Sequence, residues 1–362
     1  MKLDFNSADQ MMQQGVSRRI FPGAVLLVAG GGEVLWHKAY GMADLFSARP
    51  MEVKTVFDLA SLTKPLATAL AVMLLIQQGR LALDRPWGEY LPALPSGARD
   101  GIKDRITVRH LLSHTSGLPA WRPYYLRLAQ IPMAARAEKL KAWVLAEPLE
   151  AAPGQRAEYS DLGFMVLQWI VEHLVGERFQ RFWAASIVEP LAIDSLFFTG
   201  PDRRLPPEAF AATEFCPLRG RLLTGEVHDD NAFALGGGAG HAGLFGTAHA
   251  VWSLLKELLS TEQSYAQHSM FARELLREFF RCQFGTTWAL GFDTPAAHGS
   301  SAGSYFSRGS VGHLGFTGTS FWMDRQRQII AILLTNRVHP SRYNAGIRQF
   351  RPGLHDAVMS AL

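Results

Sequence analysis

Residues 66–76 read Leu-Ala-Thr-Ala-Leu-Ala-Val-Met-Leu-Leu-Ile, with Thr68 alone polar. The run is too long for an ordinary strand, and its Ala, Leu and Met content favours helix. A helix apolar on nearly every side belongs inside a protein, so the rest of the chain has to wrap around it. Pro65 cannot lie deep within a helix, which places the helix start close to Ser61. Ser61 then sits at the N-terminus of a buried helix, with Lys64 one turn on and on the same face. A serine hydroxyl needs a base beside it to act as a nucleophile. A lysine crowded by apolar groups gives up its proton more readily and can fill that role. The helix N-terminus adds positive potential and a free N–H for a developing oxyanion.

S-x-x-K is a common pattern, and it recurs as Ser253-Leu254-Leu255-Lys256 inside the amphipathic segment 251–259. That copy lacks a buried helix start and reads as structural. The choice between the copies rests on companion residues. Glu158-Tyr159-Ser160-Asp161 precedes an apolar helix starting near Phe164, where a tyrosine could turn its hydroxyl toward Ser61. Gly312-His313-Leu314-Gly315-Phe316-Thr317-Gly318 combines close glycines, which let a ligand approach backbone, with a histidine able to bind an anion when charged or to hydrogen-bond when neutral.

The 362 residues, 48% hydrophobic and 19% charged, suffice for two lobes around a sizeable core. Net charge is +4, spread in short pairs such as Arg18-Arg19, which argues against a nucleic-acid surface. Cys216 and Cys282 form neither a disulfide framework nor a metal spacing. The first residues show no leader pattern and no window reaches the roughly 20 apolar residues of a membrane span. The expectation is a protein without a membrane span, cytoplasmic as written, or periplasmic if a leader has been trimmed.

Along the chain, 4–19 reads as a helix, and 23–29 and 33–41 as a hairpin turning at Gly30-Gly31-Gly32. Helical patterns dominate 80–280: 107–117 capped at Thr107, 164–174, 179–187, 248–259 and 271–280. Strands return at 288–292, within 311–323, and at 329–336, before a closing helix over 347–359 that Pro352-Gly353 threatens to break. The expected fold class is α+β. An antiparallel sheet built from both chain ends (1–60 and 285–362) is flanked by helices, a mainly helical lobe spans 61–284, and the pocket lies between them.

Taken in order, Ser61-x-x-Lys64, Tyr159-x-Asp161 and His313-Leu314-Gly315 resemble the S-x-x-K, Y-x-N and K-T-G signature of the serine β-lactamase and penicillin-binding-protein superfamily. The likeness is to its class C β-lactamase branch, with its carboxylesterases and D-alanyl-D-alanine carboxypeptidases. It extends from about Phe21 to Asn336 and includes Phe57-Asp58-Leu59-Ala60-Ser61, residues 107–118 and Gly243-Leu244-Phe245-Gly246-Thr247-Ala248. The resemblance implies a β-lactamase-like fold. It makes Ser61 the acylated nucleophile, gives Lys64 and Tyr159 the base and acid duties, and forms the oxyanion hole from the N–H groups of Ser61 and Phe316. Asp161, His313, Gly315 and His241 would contact substrate, and no cofactor or metal is implied.

Aspartate, histidine and leucine at positions 161, 313 and 314 depart from that signature. An ionised Asp161 repels an anionic substrate and supplies no amide donors, which speaks against efficient β-lactam hydrolysis. Histidine at the K-T-G position is common among the esterase-like members. The implied activity is a serine acyl-hydrolase for small esters or amides. The alternative is a D-Ala-D-Ala carboxypeptidase or D-amino-peptide hydrolase on the same machinery, and, from another class, a non-catalytic acyl- or peptide-binding protein. The partner in each case is a small molecule or short peptide. Three further motifs are set aside. Gly238-Ala239-Gly240-His241-Ala242-Gly243 matches G-x-G-x-x-G without a preceding strand. His228, Asp229 and His241 lack a metal spacing, and Gly299-Ser300-Ser301-Ala302-Gly303 is not a strand-to-helix elbow.

Overall fold

A computed structural model describes residues 3–91, 101–199, 205–263, 269–283 and 285–362. Its centre is a six-stranded antiparallel sheet in the order Arg49–Pro50, Glu33–Asp44, Gly23–Gly30, Ile329–Thr335, Ser320–Asp324, Val311–Leu314. The N-terminal hairpin meets the C-terminal strands through the pair Gly23–Gly30 and Ile329–Thr335, with Leu26 opposite Leu333. Both central strands are apolar at successive positions because both sheet faces are covered. Val25, Leu27, Ile330, Ile332 and Leu334 face the main core, which continues into the helical middle of the chain. Ala24, Leu26, Val28, Ala331 and Leu333 face a second cluster formed with the helices Asn6–Ser17 and Ile347–Ser360.

The apolar run does form the core helix, in three pieces: a 3₁₀ turn at Ala60–Leu62, a π segment at Lys64–Ala69, and an α-helix at Leu70–Gln77. Pro65 supplies no N–H, and the widened turn that follows accommodates the missing bond. By composition Ala60–Gln77 is apolar enough to cross a bilayer, but 83% of that window is buried inside the protein. Around it pack Asp161–Val175, Phe179–Trp183, Ala248–Gln263 and Arg273–Phe279.

Several local expectations change. Residues 288–292 do not form a strand; Trp288 and Asp293 make only an isolated bridge, and Gly291 sits at φ +84° against the Ala69 side chain. The helix capped at Thr107 ends at Leu112, well before Gly117, because His114 adopts a left-handed φ of 58°. The helix Ile347–Ser360 runs unbroken through Pro352. Its buried face of Ile347, Phe350, Leu354 and Val358 outweighs one lost hydrogen bond, and Gly353 lets it lie close to Met11. Short pairings within the middle, Phe57–Asp58 with Leu244–Gly246 and Leu196–Phe198, had no visible period in the sequence.

Candidate active site

The turn carrying Ser61 is fixed before the helix begins. Ala60 has a left-handed φ of 48°, a conformation that costs a non-glycine residue energy. Three bonds hold it there. Ala60 N–H donates to Asp58 Oδ1 (2.8 Å), Thr63 Oγ1 donates to the Ala60 carbonyl (2.6 Å), and Leu59 N–H donates to the Leu244 carbonyl (2.9 Å). The edge strand Val311–Leu314 leads into a turn that docks on the same segment. Thr317 Oγ1 donates to the Asp58 carbonyl (2.7 Å) and Thr319 Oγ1 to the Leu59 carbonyl (3.1 Å). Gly315 is required in that turn, since a Cβ there would lie 2.0 Å from Thr319 Oγ1 and 2.6 Å from the Leu59 carbonyl. The turn presents Phe316, whose carbonyl is held by Arg337 Nε (2.8 Å) and whose N–H has no protein acceptor among the described residues.

Lys64 is fully buried, and its Nζ donates to Ser61 Oγ (3.1 Å), Asp161 Oδ1 (2.6 Å) and the His241 carbonyl (3.1 Å). Burial by itself would push this lysine down. The Asp161 carboxylate and the Tyr159 hydroxyl reverse the effect, and the ammonium ends above its ordinary range. The expectation of a readily deprotonated lysine is therefore corrected, because the apolar pocket contains a carboxylate at hydrogen-bonding distance. Tyr159 packs its ring 4.8 Å from Lys64 Nζ. Burial holds the phenol above its usual value, despite the neighbouring Lys64 ammonium.

Tyr159 and Asp161 reach the site because the segment before their helix is pinned to residues 114–120. Ser160 caps the helix by accepting from Gly163 N–H (3.2 Å), and its own N–H donates to His114 Nδ1 (3.1 Å). Asp161 N–H donates to the Ala120 carbonyl (2.9 Å). Asp161 is thus the first residue of Asp161–Val175, where the helix dipole favours a carboxylate.

Together these groups line a cavity of about 330 Å³ bounded by Ser61, Ala120, Trp121, Tyr159, Asp161, Asp229, His241, Phe316 and Arg342. Ser61, Lys64, Tyr159, Asp161, Phe316 and His241 are brought together as expected. His313 is placed differently. It is buried behind Tyr159, with ring centroids 6.0 Å apart, and Nδ1 bonds the Leu314 carbonyl (2.9 Å). Burial, with the Lys64 charge adding to it, pushes its pKa down to about 3, so at neutral pH it is an uncharged wall and no anion clamp. His114 and Trp288 complete that wall, His114 lying 4.6 Å from the Tyr159 ring. Neither had a signal as a site residue beyond the quoted motif around His114.

The ligand atoms of Asp161, Asp229 and His241 lie within 4.8 Å of one another. A divalent metal fits them poorly, because Lys64 Nζ already holds Asp161 and would stand as a like charge beside the ion. His228 is not part of the group; its Nε2 pairs with Glu214 (3.2 Å). The glycine cluster 236–243 packs on protein and not around a phosphate: a Cβ on Gly240 would lie 2.5 Å from the Phe164 carbonyl. Ser253 Oγ bonds the His249 carbonyl (3.0 Å) on the surface helix, leaving that S-x-x-K copy structural.

A serine and a buried lysine set among an antiparallel sheet and its packed helices mark an α+β serine hydrolase. The chain belongs to the family described as Beta-lactamase, which it matches over residues 8–351. An N-acetylmuramyl-L-alanine amidase of Bacillus subtilis (strain 168) is 33% identical over 91% of this chain and 80% of its own length. A relative from Escherichia coli (strain K12), whose name refers to a D-alanyl-D-alanine carboxypeptidase, is 30% identical over 92% of this chain and 82% of its own. Among solved structures, EstCE1, a hydrolase with promiscuous acyltransferase activity, superposes with a TM-score of 0.76 at 25% identity, covering 97% of both chains.

Proposed function

We propose that the protein is a carboxylesterase-like acyl-hydrolase for small esters or amides, working through an acyl-enzyme on Ser61. The observation that carries this is the hydrogen-bonded series Ser61 Oγ, Lys64 Nζ, Asp161 Oδ1, at 3.1 and 2.6 Å, opening onto the cavity. Ser61 attacks the carbonyl carbon as its proton passes to Lys64, while Lys64 hands a proton on to Asp161. The N–H groups of Ser61 and Phe316 hold the oxyanion. Tyr159, a neutral phenol, then protonates the leaving group and recovers its proton from Lys64. Water deacylates the serine by the same route in reverse.

The likeness to EstCE1 and the small cavity support ester or simple amide substrates. The two curated relatives support a second reading, an amidase or carboxypeptidase acting on short D-amino-acid peptides. Intact-protein mass after mixing with a fluorophosphonate, a penicillin or a p-nitrophenyl ester separates the two. A Ser61-dependent fluorophosphonate adduct with ester turnover and no penicilloyl adduct is expected. A stable penicilloyl adduct would favour the second reading. Ser61→Ala is expected to keep the fold and lose turnover. Substantial ester hydrolysis by that variant would overturn the assignment, and absence of any adduct on the wild type would point to a binding protein.

A further inference from the structure

Three aspartates, Asp161, Asp229 and Asp230, line the cavity beside Ser61. Two are matched by cations: Asp161 by Lys64 at 2.6 Å, and Asp230 by Arg219 at 2.9 Å and Arg342 at 3.2 Å. Asp229 pairs with no lysine or arginine among the described residues. Its Oδ1 accepts from Ala232 N–H (2.7 Å) and His241 Nε2 (3.0 Å), while Oδ2 has no partner among them. The side chain keeps 24% exposure, in the cavity. His241, itself 1% exposed and lining the same cavity, leaves its Nδ1 unpartnered. Burial would push the Asp229 carboxyl up, but His241 and the more distant Lys64 hold it well below the usual range, so the carboxylate is ionised.

The charge count then limits what can enter. Counted with the His241 ring neutral, its Nε2–H donating to Asp229, the groups Asp161, Asp229 and Lys64 leave one net negative charge beside the nucleophile. A monocation neutralises it; a divalent ion overshoots, and a carboxylate is repelled. The ligand atoms of Asp161 and Asp229 lie within 4.8 Å of each other, a spread that one ammonium can bridge with two of its donors. We propose that the cavity takes acyl groups bearing a primary ammonium, held by Asp229 with the free edge of Asp161, and that Asp229 is a specificity-determining residue. The ammonium belongs to the acyl part, which stays bonded to Ser61 until water releases it. This deepens the acyl-hydrolase reading and rests on it for the position of the acyl group.

The test uses the p-nitroanilides of glycine, β-alanine and 4-aminobutyrate, each beside its N-acetyl counterpart, so that reach and charge vary separately. Binding is measured on Ser61→Ala, and on Ser61→Ala combined with Asp229→Asn. Asparagine keeps an acceptor for Ala232 N–H, so the helix cap survives the change. The expected result is that at least one free amine binds about tenfold or more tightly than its acetylated form, and that the gap closes with Asp229→Asn. Equal or tighter binding of every acetylated form, a gap that persists in Asp229→Asn, or no binding of any amine would overturn the proposal. Turnover by the wild type is read in parallel. Loss of the amine preference with Ser61-dependent turnover intact refutes this inference alone. An intact preference with turnover independent of Ser61 refutes the acyl-enzyme reading alone.

Discussion

Replacing Asp161 with Asn leaves Lys64 buried with no answering charge. In the wild type the lysine's folded pKa lies above its ordinary 10.5. While Asp161 stays ionised, the lysine's contribution to stability is therefore full below 10.5, and it fades as pH rises through the folded pKa. In the variant, desolvation outweighs the supporting groups that remain, and the folded pKa drops below 10.5. The unfolded chain then binds the proton more tightly than the native one, and stability falls as pH falls. Keeping a lysine of ordinary pKa neutral at pH 7 costs about 5 kcal/mol, which is a ceiling. Breaking a buried ion pair by removing one partner costs about 3–5 kcal/mol. Asp161 retains 16% side-chain exposure, and Lys64 keeps the His241 carbonyl and Ser61 Oγ, so the expected loss lies at about 2–3 kcal/mol. Urea unfolding of wild type and Asp161→Asn from pH 6 to 10 reads it. The gap should be widest near neutrality and should narrow toward pH 10. A gap that is absent at pH 7, or unchanged at pH 10, would refute the view that Asp161 keeps Lys64 charged.

Other consequences are equally open to measurement. Gly315→Ala forces a Cβ onto Thr319 Oγ1 and the Leu59 carbonyl and should slow fluorophosphonate labelling of Ser61 by about 10²-fold, through displacement of the Phe316 N–H, with the melting temperature lowered as well. An unaltered labelling rate would separate that turn from the oxyanion. Burial raises Asp293 to about 7, so its carboxyl costs stability increasingly as pH climbs from about 4 toward 7. Asp293→Asn should then gain about 1–3 kcal/mol at pH 8 and nothing near pH 4, in matched urea titrations. Charging His313 below about pH 4 should weaken the wall behind Tyr159, visible as a loss of near-ultraviolet circular dichroism that His313→Gln does not show.

Much of the architecture was legible because it follows from local pattern. The apolar run 66–76, Pro65 just before it and the Ser61-Lys64 spacing fix a core helix with a nucleophile at its start. The continuous apolar run of Ile329–Thr335 declares a strand covered on both faces. The trio Ser61, Lys64 and Tyr159 could be paired across about a hundred residues through the order of their motifs. What local pattern does not carry is the state of charge and the far side of each side chain. Lys64 in an apolar stretch reads as a lysine ready to lose its proton; only the folded helix Asp161–Val175 brings a carboxylate to 2.6 Å and reverses that. His313 reads as a possible anion ligand; only the packing of His114, Tyr159 and Trp288 around it makes it a buried neutral wall. Asp229 looks like one more loop acid until Arg219 and Arg342 are seen to be taken by its neighbours. The sequence by itself determined the core helix, the strand pattern and the nucleophile, because periodicity and backbone chemistry act over a few residues. Tertiary structure decided which charges meet, because desolvation and Coulomb energy depend on groups that only folding brings together.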